Sequence, residues 1–81
     1  MKITWDEHKR LSNRAKHGFD FLDVTPEFLK SCILIPAENK RMMAIGILGG
    51  RSVAVIFKPL GLEGLSIVSM RSASQKERGL L

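Results

Sequence analysis

Gly49-Gly50 stands between two apolar, partly β-branched runs, Arg41–Leu48 and Arg51–Phe57. Two adjacent glycines in that setting mark a two-residue hairpin. The turn whose twist matches paired strands needs φ > 0 at both central residues, and glycine adopts it at least cost. Closing the hairpin there sets Leu48 opposite Arg51, Ile45 opposite Ala54 and Met43 opposite Ile56. Met43, Ile45, Ala54 and Ile56 then share one face; Ala44, Leu48, Val53, Val55 and Phe57 share the other. Both faces are apolar, so these strands are expected at the centre of a sheet covered on both sides.

The flanking segments fill in the rest. Residues 1–5 read as a short strand, and the Thr4/Glu7 spacing is that of a capping box. A helix is expected from near Trp5–Asp6 to about Lys16, ended by Gly18. On a helical wheel Leu11, Ala15, His8 and Ser12 lie on one side, and Lys9, Arg10, Asn13, Arg14, Lys16 and His17 on the other. The thin apolar stripe is expected on a sheet, with the basic face in water. A second helical piece, bent or in two parts, spans Asp20–Lys30, with Thr25 as cap and Pro26 at the first helical position. Ile33–Ile35 reads as a brief strand, Pro36–Lys40 and Lys58–Gly64 as loops, and Leu65–Arg71 as a strand antiparallel to the second hairpin strand. Ser74-Gln75-Lys76-Glu77 is another capping box and opens a terminal helix. The expected order is β-α-α-β-β-β-α. This is an α+β domain over residues 1–81, with an antiparallel sheet, two N-terminal helices packed on it and a short C-terminal helix.

Composition narrows the function classes. With 81 residues the chain supports one modest core. No apolar run is long enough to cross a membrane, and the N-terminus has no signal-peptide pattern, which points to the cytoplasm. Cys32 is the sole cysteine, so no internal disulfide and no cysteine-based zinc site can form. The net charge of +5 favours an anionic partner, nucleic acid or an acidic protein. No glycine-rich phosphate loop is present, and His8 and His17 do not have the i, i+4 spacing of a helical metal pair.

The candidate chemistry is therefore cationic. The hairpin register sets Arg41 opposite Lys58 at one end and Arg51 at the other, with Arg71 returning toward Arg51. Like charges placed together destabilise a sheet unless an anion separates them, so each end is a possible phosphate site. The ends lie roughly 20 Å apart along the strands, so only one can be catalytic. His17 sits at a helix C-terminus, where the macrodipole favours a cation; it is either structural or a general acid–base. Trp5 is either core or a base-stacking platform. Lys9, Arg10 and Asn13 either form a solvated helix face or dock RNA or an acidic partner.

Trp5-Asp6-Glu7, Lys9, Asn13, Lys16-His17-Gly18, Phe21, Arg41, Ala44-Ile45-Gly46, Ile67–Arg71, Ala73 and Glu77-Arg78 resemble, in order and over nearly the whole chain, the BrnT-type toxins of the RelE/ParE-like superfamily. The chain departs from that pattern at Ser72 and in having no tyrosine. The resemblance implies a RelE-like fold and metal-independent RNA cleavage with no cofactor. It also implies a cognate BrnA-like ribbon-helix-helix antitoxin encoded beside the toxin, DNA contacted only through that antitoxin, and no membrane. In metal-free cleavage the neighbouring 2′-OH attacks the phosphate. The protein must then position the strand, stabilise charge and move two protons. Arg71 is expected to stabilise the charge, with Arg51 assisting and His17, Lys16 and Glu77 transferring protons or orienting. Lys9, Arg10, Asn13, Trp5, Arg41 and Lys58 are the expected RNA contacts. The competing reading is a basic module that binds an antitoxin or nucleic acid without cutting.

Overall fold

The computed structural model describes residues Met1–Leu81. In chain order these form β1 (Lys2–Trp5), α1 (Glu7–His17), a 3₁₀ turn (Phe21–Asp23), α2 (Pro26–Lys30), β2 (Ile33–Pro36), β3 (Met42–Leu48), β4 (Arg51–Leu60), β5 (Gly64–Ser72) and α3 (Gln75–Arg78). One five-stranded sheet has the order β1-β5-β4-β3-β2. No helix is long and apolar enough to cross a membrane.

The hairpin closes as its glycines dictate. Leu48 pairs with Arg51, Ile45 with Ala54 and Met43 with Ile56, and Gly49 and Gly50 have φ of 58° and 79°. Thr25 caps α2 through a bond from the Phe28 N–H, with Pro26 at the first turn. Ser74 and Glu77 form a reciprocal capping box around the start of α3.

Four expectations need correction. The sheet is mixed, because β1 runs parallel to β5 from Lys2↔Gly64 to Trp5↔Ile67. These strands are far apart in sequence, and no turn residue dictates their relative direction. Four strands follow the helices, one more than the expected order counts, and the 58–64 loop shrinks because β4 continues to Leu60. Thr4 does not cap α1. It lies within β1 and donates to the Leu65 carbonyl at 3.2 Å, while Asp6 accepts from the His8 and Lys9 N–H groups instead.

The fourth correction concerns the rotation of α1. Leu11 is 45% exposed and Ala15 is exposed, whereas Asn13 is the buried residue of this helix. Burying one leucine is worth about 2 kcal/mol. Leaving two main-chain groups of β5 without partners would cost about 1–3 kcal/mol each. Polar satisfaction outweighs the thin apolar stripe, so the helix turns its amide inward.

The core lies on one face of the sheet. Phe19, Phe21, Val24 and Phe28 pack over Ala44, Val53, Val55, Phe57, Leu65, Ile67 and Met70. The opposite face is covered only at its centre. Ile45 and Ala54 are fully buried, Met43 and Ile56 are half-buried, and Ile47 is 60% exposed. The chain places its helical segments between Glu7 and Lys30 on the first face, which leaves only the one-turn α3 for the second.

Candidate functional site

Near the middle of β5 the ladder changes. Ile56 pairs with Ser69 but Phe57 with Ile67, so Val68 is an extra, bulged residue. β1 has already ended opposite Ile67. The outer edge of β5 beyond that point therefore faces α1 instead of a strand. An open groove of about 440 Å³ lies there, lined by Lys9, Ser12, Asn13, Lys16 and His17 of α1 and by Val68 and Ser69 of β5. The helix residues recur at three- and four-residue spacing, which stacks their side chains along one stripe.

The stripe is cationic and unopposed. The ion pairs of the chain are Arg10 with Glu7 and Asp20, Arg14 with Asp20, and Arg71 with Glu77. Lys9, Lys16 and His17 belong to none of them. Asp6 caps the helix, and Glu7 and Asp20 are engaged by Arg10 and Arg14. Arg10 grips Glu7 through two 2.7 Å bonds and reaches Asp20 at 3.1–3.2 Å. Hydrogen bonds from Arg10 and then Trp5 bring the Glu7 carboxyl down to about 2. The Leu22 N–H, with Arg10, lowers Asp20 as well.

The residues expected from sequence separate into four groups. Lys9, Asn13, Lys16 and His17 converge in the groove. Arg51 stands at the end of α1, with its guanidinium 4.0 Å above the Phe19 ring and donating to the Gly18 carbonyl at 3.3 Å. Arg71 is on the other face. It is paired with Ala54, not on the side of Arg51, and donates two bonds to Glu77 at 2.7 and 2.9 Å. The Arg71 guanidinium holds Glu77 down at about 2. Alternation along the strand puts Ser69 on the same face as Arg71, about 7 Å away. Ser69 thus joins the groove to the arginine. Arg51 and Arg71 do not converge, because residues 51 and 54 of β4 point to opposite faces. Arg41 and Lys58 lie just beyond the Met42↔Phe57 pair, at the other end of the hairpin.

Three of the expected RNA contacts have partners within the chain. Trp5 packs edge-on against Phe21 at 6.3 Å between ring centres and donates its Nε1–H to Glu7 at 3.0 Å. The Arg10 side chain is only 14% exposed, within its ion-pair network. Asn13 faces the groove wall, but its amide is bonded to the main chain of Met70. Sequence reasoning missed Ser12, Val68 and Ser69. Ser69 carried a readable signal, since it stands two residues before Arg71 in a strand. The bulge that leaves Val68 unpaired at the groove carried none.

Chemically, the groove offers two ammonium groups, an imidazole and hydroxyls beside a strand edge. That donor set suits a phosphodiester. No three His, Cys, Asp or Glu side chains converge as a metal-ligand group.

The family described as "Ribonuclease toxin, BrnT, of type II toxin-antitoxin system" matches residues 5–77. No curated protein sequence matches the chain. Among solved structures, the 1.1 Å crystal structure of the Brucella abortus ribonuclease toxin BrnT is 56% identical, covers 93% of this chain and 99% of its own, and superimposes with a TM-score of 0.84.

Proposed function

As the chain belongs to the BrnT family of ribonuclease toxins of type II toxin–antitoxin systems, we propose that it cuts RNA without a metal ion, with the substrate held in the groove between α1 and β5. The observation that carries this reading is the convergence of Lys9, Lys16 and His17 on Ser69 with no carboxylate among them. Lysines along a groove neutralise phosphates and hold the strand without reading its sequence. The ribose 2′-OH then attacks the adjacent phosphorus. It loses its proton to a base and breaks the bond to the 5′ oxygen, which takes up a proton. A cyclic 2′,3′-phosphate and a 5′-OH result. His17 is the proton-transfer group, since an imidazole ring carries both a proton acceptor and a proton donor. Arg71, next along the strand face from Ser69, stabilises the charge that builds on the phosphoryl oxygens. Glu77 holds its fork in one orientation, leaving N–H groups beyond the two it occupies. Arg51 supports the His17–Gly18 end of α1.

The RelE-like kinship of the fold is part of the same proposal, supported by helices layered on one face of a sheet whose last strand carries Arg71 one residue before its end and is followed by a short helix. So is the partner: an acidic, BrnA-like ribbon-helix-helix antitoxin in the cytoplasm, which suits the net charge of +5. The engagement of Arg71 by Glu77 favours a second reading, a binding module that does not cut.

Incubating the purified chain with a defined oligoribonucleotide, with and without EDTA, and with the 2′-OH removed at the cut position, tests the proposal. Cleavage indifferent to EDTA, blocked by 2′-deoxy substitution and yielding a cyclic phosphate is expected. Cleavage that EDTA abolishes overturns metal independence, and an uncut RNA favours the binding module.

A further inference from the structure

We infer that Asn13 is a positioning residue: its amide takes the place of a missing strand on the outer edge of β5 and so registers the basic stripe of α1 against Ser69. The inference rests on the reading of the groove as the RNA site. β1 pairs with β5 only as far as Ile67. Three residues on, the Asn13 Nδ2–H donates to the Met70 carbonyl at 3.0 Å, and the Met70 N–H donates to Asn13 Oδ1 at 3.1 Å. A neighbouring strand would satisfy an edge residue with the same donor and acceptor.

Midway along α1, Asn13 is the residue that bonds to β5. Asn13 is 8% exposed and is the buried residue of the helix, while Leu11 is 45% exposed. The other ties hold the flank and the two ends of the helix: Arg10 and Arg14 pair with Asp20, Trp5 of β1 donates to Glu7, and Arg51 of β4 donates to the Gly18 carbonyl. Asn13 lies one turn after Lys9 and one turn before Lys16 and His17, at the middle of the stripe that lines the groove. Two bonds to one β5 residue fix both the roll of the helix and its position along the strand. Without them α1 rolls toward burying Leu11, and Lys16 and His17 swing away from Ser69. Aspartate is no substitute, because an ionised carboxylate oxygen would face the Met70 carbonyl. Alanine reaches neither group.

Proton transfer is far more sensitive to displacement than charge attraction by exposed lysines. A shift of about 1 Å costs roughly a hundredfold in rate. In the purified full chain, Asn13→Ala should therefore lower kcat on a defined oligoribonucleotide by about 10²-fold while KM changes only a few-fold. The Met70 amide should exchange faster with solvent. The decisive comparison is with His17→Ala: added to that variant, Asn13→Ala should cause little further loss, because it acts through the same imidazole. If Asn13→Ala does not fold, Asn13→Asp keeps the side-chain size and carries the same cycle. Losses that multiply in the double variant, or an unchanged kcat, overturn the inference. His17→Ala cutting at the wild-type rate overturns the groove reading itself, which is a distinct result.

Discussion

Glu77 shows how one side chain links stability to the site. It accepts from the Ser74 N–H and from both arms of Arg71, so its carboxylate serves a helix cap and an ion pair together. Its pKa falls from 4.5 to about 2 on folding, mainly because of Arg71. A carboxyl depressed on folding stabilises the native state above its unfolded value, and that contribution disappears as pH falls through the folded value. The melting temperature should therefore drop as pH falls from 4.5 toward 2, and Glu77→Gln should flatten that part of the curve. Glutamine keeps the cap, and the pair is partly solvated, so the loss at neutral pH should be about 1 kcal/mol or less by denaturant titration. Arg71→Ala tests the other partner. It should slow RNA cleavage by ~10²–10³ with near-native circular dichroism. Lys9→Ala, in the groove and unpaired, should weaken RNA binding and reduce its salt dependence by roughly one counterion.

Among the elements, β3 and α2 meet at a point that tolerates no side chain. A Cβ on Gly46 would lie 2.7 Å from Cys32 Sγ and 3.2 Å from the Phe28 ring. Gly46→Ala should destabilise the fold by about 1–3 kcal/mol through overpacking. Cys32→Ala in the same chain should recover part of that loss, which a double-mutant cycle measured by urea unfolding would show. The thiol itself, pushed up to about 11 by burial, belongs to the packing of this contact. α1 is held differently, by the Asn13 amide, ion pairs to Asp20 and single hydrogen bonds at its ends in place of apolar area. Its attachment is correspondingly local, and hydrogen exchange should find it looser than β4, whose Val53, Ala54 and Val55 are fully buried.

At the scale of the whole molecule, charge is divided by place. Glu7 and Asp20 are paired with Arg10 and Arg14, and Lys9, Lys16 and His17 belong to no ion pair, so they present a positive surface. An antitoxin that binds only the folded chain should raise its melting temperature with concentration, because binding adds about 2.7 kcal/mol of stability at a free concentration of a hundred times Kd. Growth arrest on expression alone, relieved by co-expression of the antitoxin, is the matching cellular outcome; arrest that persists with it counts against the partner. Short-range chemistry in the sequence sufficed for the hairpin register at Gly49-Gly50, the left-handed stop at Gly18, the Thr25 and Ser74 caps, and the division of cations between the two hairpin ends. Each of those depends on residues a few positions apart, whose turn angles and alternation are intrinsic. The parallel pairing of β1 with β5, the inward turn of Asn13, the engagement of Trp5 and Arg10, and the placement of Arg51 and Arg71 on opposite faces were decided only in the tertiary structure. There the deciding quantity is which polar group is left without a partner when distant segments meet, and no local pattern carries that information.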